Sequence, residues 1–308
     1  MIQKQIRYYL ELLQKENYKS FNLAFLRVVI CCWLLKEVCI NWTSMNVLYG
    51  ESVFVVSKNN LINRLPEGGF PLVRSYYMWF IIAYIGVIFL NIFGIGRRFT
   101  LLILFIMFYV LQKMNMSMVN GGDAMARLIL FYLIFADSYK YFVLIKQKNI
   151  DGDKIKLQNL FSNLAALSIM FQLCLAYFSS GIAKIMEPMW LHGEATYYTL
   201  SMERFIGTPL NKYIIQYRWM DYFTNYGTLL FELLFPLLIW IKKFRKPLLI
   251  MGILFHLGIY IFLMIYGFQI VFVLIYGLFL PNQKLLSIAQ RCKVLFWPKR
   301  TNMATNTA

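Results

Sequence analysis

The stretch "LFSNLAALSIMFQLCLAYFSSGIAKIMEPMWLHG", Leu160 to Gly193, decides the fold. From Leu160 to Ala183 it carries no charge, and Lys184 closes the run. At 1.5 Å per helical residue such a run crosses a hydrocarbon layer of about 30 Å. Beyond Lys184 come Glu187, Pro188 and Trp190, a change of grammar that marks a membrane–water boundary. Gln172, Ala176, Ser180 and Lys184 recur at four-residue intervals and share one helix face. That face is small and polar, suited to a cavity wall or to close helix packing.

The rest of the chain has the same character. Over 308 residues, 60% are hydrophobic, 15% are charged and the mean hydropathy is +0.57. A soluble domain of this length has no interior large enough for so much apolar surface, so lipid must be part of the solvent. The net charge of +17 does not indicate a nucleic-acid binder, because the basic residues fall in short clusters between apolar runs. The five cysteines form no CxxC pair, and four lie within apolar runs, as small buried residues do. The first 20 residues are too polar for a cleaved signal peptide. They form an amphipathic surface helix with Ile2, Ile6, Tyr9, Leu10 and Leu13 on one side.

Eight apolar segments follow from this pattern: 21–41, 76–95, 99–114, 125–144, 160–184, 222–241, 247–265 and 268–281. The third and last are short, and one of them is a candidate re-entrant segment. Lys and Arg between segments divide 20 to 9 between the two sides, with Arg27 and Lys36 inside the first span. The positive-inside rule assigns the richer side, with both termini, to the cytoplasm of a multi-pass cell-membrane protein. The expected architecture is all-α: an amphipathic helix over 1–20, a polytopic bundle over 21–281, and a basic cytoplasmic tail over 282–308 whose end is disordered.

Charged residues inside spans mark the bundle interior or a wet cavity. Arg27 either snorkels to the cytoplasmic face or pairs with Glu232, which lies mid-span in the sixth segment. Glu232 is either a structural partner or a catalytic carboxylate. His256, also mid-span, is either a hydrogen-bonded packing residue or a ligand. With only His192 beside it in the whole chain, a histidine-rich metal site is excluded, and no zinc spacing occurs. "NGGD", Asn120, Gly121, Gly122 and Asp123, has the grammar of a helix start; it caps the fourth span or offers its N–H groups to an anion. Lys184 is an interfacial anchor or, if walled by apolar groups with few counter-charges, a base.

The stretches "LAFLRVVICCWLLKE", "NGGDAMARLILFYLIF", "QLCLAYFSSGIAKIMEPMWLHGEATYY" and "FHLGIYIFLMIYGFQIVFVLIYGLFLP" resemble the HTTM family, the membrane domains similar to vitamin K-dependent gamma-glutamyl carboxylase. The resemblance covers Phe21 to Pro281. It implies that Lys184, in "YFSSGIAK", stands where the carboxylase has its proposed base, with Ala183 in place of a second lysine. It also implies that His256, Arg27 and Glu232 match polar positions of the family's spans, and that a reduced quinone is the candidate cofactor. Two departures stand out. "NGGD" replaces a family histidine, and the chain ends about 27 residues after Pro281, without the family's extracytoplasmic domain. Carboxylation of a docked protein is therefore not expected.

The short bacterial members similar to SdpB, which help mature a secreted peptide toxin, have this length. The expected function is modification of a secreted peptide or quinone-like molecule in an outward-facing cavity. Lys184 and His256 would be catalytic, with Ser180, Trp190, Arg27, Glu232 and the "NGGD" turn binding substrate. The alternative is a non-enzymatic SdpB-like accessory for maturation or export of an antimicrobial peptide. Expected partners are membrane lipids, a secreted peptide and an accessory maturation protein, but no nucleic acid.

Overall fold

The computed structural model describes residues 2–50, 71–145, 152–265 and 267–291. Lys58, Arg64, Lys146, Lys148, Cys292 and the tail from 292 lie outside them. Every regular element among the described residues is helical. In chain order they are α1 (Ile2–Lys15), α2 (Ser20–Ile40), α3 (Met45–Tyr49), α4 (Pro71–Ser75), α5 (Tyr77–Ile92), α6 (Arg97–Met114), α7 (Gly121–Phe135) and α8 (Asp153–Ile185). Then follow α9 (Pro188–Leu191), α10 (Ala195–Ser201), α11 (Asn211–Gln216), α12 (Arg218–Leu238), α13 (Lys242–Leu263), α14 (Phe268–Phe279) and α15 (Asn282–Arg291).

Each of the eight apolar segments contains a helix, the fourth only as far as Phe135. By length and composition alone, α8 and α13 suffice to cross a membrane, and α14 with its continuation, bent by 112°, makes a third candidate. The helices carry large apolar side chains outward, among them Ile82, Phe89, Ile106, Phe131, Phe171, Leu230 and Leu254. An interior of Leu23, Ile30, Leu104, Leu130, Leu173, Val271 and Ile275 is sealed. Apolar residues on both sides of a helix are what lipid permits and water penalises.

The centre is α8, which packs on α12 and also touches α1, α7 and α14. Its contact with α12 depends on Gly181: a Cβ there would meet Leu233 Cδ2 at 2.9 Å and Glu232 Cβ at 3.4 Å. The "GIGRR" turn joins α5 to α6, with Gly94 at φ +68° and Gly96 at φ +71°, a region that L side chains avoid.

Several boundaries differ from those read in sequence: α8 begins at Asp153 rather than 160 and α13 at Lys242 rather than 247. The amphipathic helix stops at Lys15, and its last carbonyls are held by α8: Asn163 Nδ2 donates to Leu13 O (2.8 Å) and Glu16 O (2.7 Å). Ile6, Tyr9 and Leu10 remain exposed. The fourth segment leaves helix at Phe135, nine residues before the boundary at 144, and continues as an irregular chain. Arg27 takes up backbone carbonyls that this irregular chain would otherwise leave bare, those of Ser138, Tyr141 and Phe142. Of the cysteines, Cys31 and Cys174 are buried but Cys32 and Cys39 are exposed, so the expectation of burial holds for only some of them.

Candidate functional site

Lys184, in the last turn of α8, reaches across to α12. Its Nζ donates to both carboxylate oxygens of Glu232, at 2.7 and 2.8 Å, and to Ser180 Oγ at 2.6 Å. Ser180 Oγ in turn donates to Glu232 Oε1 at 3.2 Å. The Trp190 ring lies 5.2 Å from the ammonium, a cation–π distance. The side chains of Lys184 and Glu232 are 20% and 6% exposed, so one face of the pair is open and the other sealed.

The segment after α8 is fastened to α12. Asn225 Nδ2 donates to Trp190 O (2.8 Å) and Tyr226 Oη to Leu191 O (2.9 Å). Further along α12's first turn, Asp221 accepts from Thr196 Oγ1 of α10. Asp221 Oδ2 and Asn225 Oδ1, one turn apart, are buried without a partner among the described residues.

This geometry corrects two expectations. The wall around Lys184 is not poor in counter-charge: Glu232 supplies a carboxylate, whereas Glu187 is exposed at the position just before α9. Nor does Glu232 pair with Arg27. Arg27 is fully buried, and among the described residues its guanidinium donates to backbone carbonyls alone. These are Asn91 O and Ile92 O at the end of α5, and Ser138 O, Tyr141 O and Phe142 O beyond α7. The carbonyl-rich end of a helix attracts a cation, and five N–H donors fit this cluster of acceptors. Arg27 neither snorkels nor joins the Lys184 group.

"NGGD" forms a capping box. Asn120 Oδ1 accepts from Gly122 N (2.7 Å) and Asp123 N (3.2 Å), while Asp123 Oδ2 accepts from Asn120 N (2.9 Å). Gly121 and Gly122 press on Phe268, where a Cβ would meet ring and backbone atoms at 2.8 Å. The N–H groups of Gly122 and Asp123 are thus already used, which removes donors that an anion would need. Capping is what this motif does in the structure.

His256 on α13 is 2% exposed. Its Nε2 shares a hydrogen bond of 2.7 Å with Tyr177 Oη, and Tyr177 Oη shares another of 2.6 Å with Tyr276 Oη. Tyr177 lies on α8 seven residues before Lys184, two turns away on the same side of the helix. Sequence reading missed Tyr177 and Tyr276. The face traced at strict four-residue steps from Gln172 passes beside Tyr177, which a three-residue step back from Ser180 reaches. Nothing in sequence singles out Tyr276 among 21 tyrosines. Asp221 and Thr196 were missed because they join only through the packing of α10 on α12.

No group of three His, Cys, Asp or Glu side chains suited to a metal ion occurs among the described residues. Comparison with protein-family models, curated protein sequences and solved structures returns no match to this chain.

Proposed function

We propose that this chain is a multi-pass protein of the cell membrane, of the HTTM type, with eight spans and both termini in the cytoplasm. On this proposal it modifies a secreted peptide or a lipid-soluble, quinone-like molecule at the Lys184–Glu232 pair. Alternation of the helices is supported by contacts gathered at one end. The start of α2 meets the ends of α7 and α14 through Asn17, Asn22 and Lys19, and Tyr18 N donates to Asn163 near the start of α8.

One observation carries the functional reading: an ammonium and a carboxylate from two apolar helices bonded to each other, under an indole and open on one side. Burying two charges costs several kcal/mol per ion, so an ion pair here requires good geometry and further hydrogen bonds, as Ser180 provides. A proton passed to Glu232 leaves a neutral amine and a neutral acid, the forms that poorly hydrated surroundings favour. The pair, rather than the amine alone, is then the acid–base unit, with Lys184 as proton acceptor toward substrate.

A second reading uses the same pair as an interhelical clamp in a non-enzymatic accessory for peptide maturation or export. Lys184→Arg separates the two, because arginine keeps the charge and the carboxylate partner but does not give up its proton. The measurement is mass spectrometry of peptides secreted by cells carrying each variant. Loss of the processed peptide in both Lys184→Ala and Lys184→Arg is the expected result. Processing retained in Lys184→Arg would leave only the accessory reading.

A further inference from the structure

Two phenols and an imidazole in a row constitute a hydrogen-bonded chain whose direction is open until its ends are counted. Among the described residues, Tyr276 Oη bonds only Tyr177 and His256 Nδ1 bonds nothing, although both residues are buried. A neutral imidazole has one ring proton. Suppose it sits on Nε2. Then Nε2–H donates to Tyr177, Tyr177 donates to Tyr276, and the Tyr276 hydroxyl proton and the Nδ1 lone pair are both stranded. Suppose instead it sits on Nδ1. Then Tyr276 donates to Tyr177, Tyr177 donates to Nε2, and only the Nδ1–H is stranded. Each buried unpaired polar group costs about 1–3 kcal/mol, so the second arrangement, with one fewer, wins.

The packing holds the chain in place. Gly252, one turn before His256 on α13, leaves the space that Tyr276 Oη occupies; a Cβ there would lie 2.2 Å from that oxygen. Phe255, Phe268 and Phe272 surround the imidazole with ring centroids 5.4, 6.0 and 5.4 Å away, and none accepts a conventional hydrogen bond. The Tyr177 ring itself packs on Phe231 and Phe235, the two residues that bracket Glu232 on α12.

We infer that Tyr177 is a positioning residue that fixes the Nδ1–H tautomer of His256. The N–H left without a protein acceptor is the donor this bundle holds for an acceptor oxygen of its substrate. The second half of this inference rests on the function proposed above; the first half does not, and the tests separate them. The chain has two histidines, so His192→Gln leaves one imidazole to observe. In ¹⁵N-histidine-labelled full-length protein in lipid nanodiscs, ring nitrogen shifts should show the proton on Nδ1. Tyr177→Phe, a nearly isosteric change, should abolish that preference, whereas Gly252→Ala, whose added Cβ crowds only the Tyr276 ring and hydroxyl, should leave it in place. Tyr276→Phe should preserve it, since Tyr177 can still donate to Nε2.

A proton on Nε2, protons on both nitrogens, or an unchanged spectrum in Tyr177→Phe would overturn the tautomer assignment. The donor role is read in the secreted-peptide measurement. Asparagine places an N–H where Nδ1 stands and glutamine places one where Nε2 stands. His256→Asn should therefore retain processing, whereas His256→Gln and His256→Ala should lose about a hundredfold or more. Equal activity in the Asn and Gln variants, or loss in both, would reject the donor role even with the tautomer confirmed.

Discussion

Arg27 and Lys184 are both cations set into apolar helices, and the chain satisfies them in opposite ways. Arg27 is sealed, and its acceptors among the described residues are backbone carbonyls. Lys184 is partly open, and its acceptors are a hydroxyl and a carboxylate. A carbonyl at a helix end cannot take a proton, so the Arg27 cluster is a fixed electrostatic joint. A carboxylate can, so the Lys184 cluster is able to change state. The location of a charge within a span therefore says less about function than the type of partner that meets it.

The largest effect expected from this contrast is at the joint. Arg27→Met removes the donors from five carbonyls, two at the end of α5 and three in the irregular chain beyond α7, and leaves them facing apolar side chains. The cost is on the order of 3–5 kcal/mol, seen as a large drop in unfolding temperature in detergent micelles. Arg27→Lys should recover only part of it, since three donors on a point charge replace a five-donor fork. A loss below about 1 kcal/mol in Arg27→Met would place water among those carbonyls and end the distinction drawn here.

At the Lys184 pair the single changes should cost less, because one side is open to solvent, but they should be strongly coupled. Glu232→Leu strands an ammonium and Lys184→Met strands a carboxylate, whereas the double variant strands neither. A coupling of about 1–3 kcal/mol in the cycle Lys184→Met, Glu232→Leu and both is expected from thermal unfolding. Additive losses would mean that the two side chains are held separately by water.

How much of this was legible in the chain follows from which partners are local. The helices over the eight segments and the capping box of Asn120 and Asp123 depend on residues within a few positions, and the sequence displays them. The Ser180–Lys184 contact is one helical turn and was visible as a shared face. Glu232 stood out as a mid-span carboxylate, yet its partner did not, since two cations were available and only the packing of α12 on α8 selects Lys184. For Arg27 the sequence offers only water or the Glu232 carboxylate as partners, because side chains can be searched in a sequence, whereas backbone carbonyls freed by an irregular segment leave no mark. The relay through Tyr177, His256 and Tyr276 joins three helices and was illegible for the same reason.

The smallest effect concerns a third cation, intermediate between the two. Lys19 precedes α2 and donates to Leu280 O at 2.7 Å, a carbonyl partner like those of Arg27 but on a group able to lose its proton. Burial, with a smaller contribution from the Arg245 charge, brings the Lys19 ammonium down from 10.5 to about 8. A lysine whose folded value lies below its unfolded one is deprotonated first in the folded state. Between about pH 8 and 10.5 the unfolded chain holds the additional proton, so stability rises with pH across that window and is flat on either side. The measurement is the difference in unfolding free energy between the parent protein and Lys19→Met from pH 7 to 10.5. It should shift in favour of the parent as pH climbs past 8. A difference that stays level would show the amine reaching water, where it would behave as an ordinary surface lysine rather than as a lesser version of the Arg27 joint.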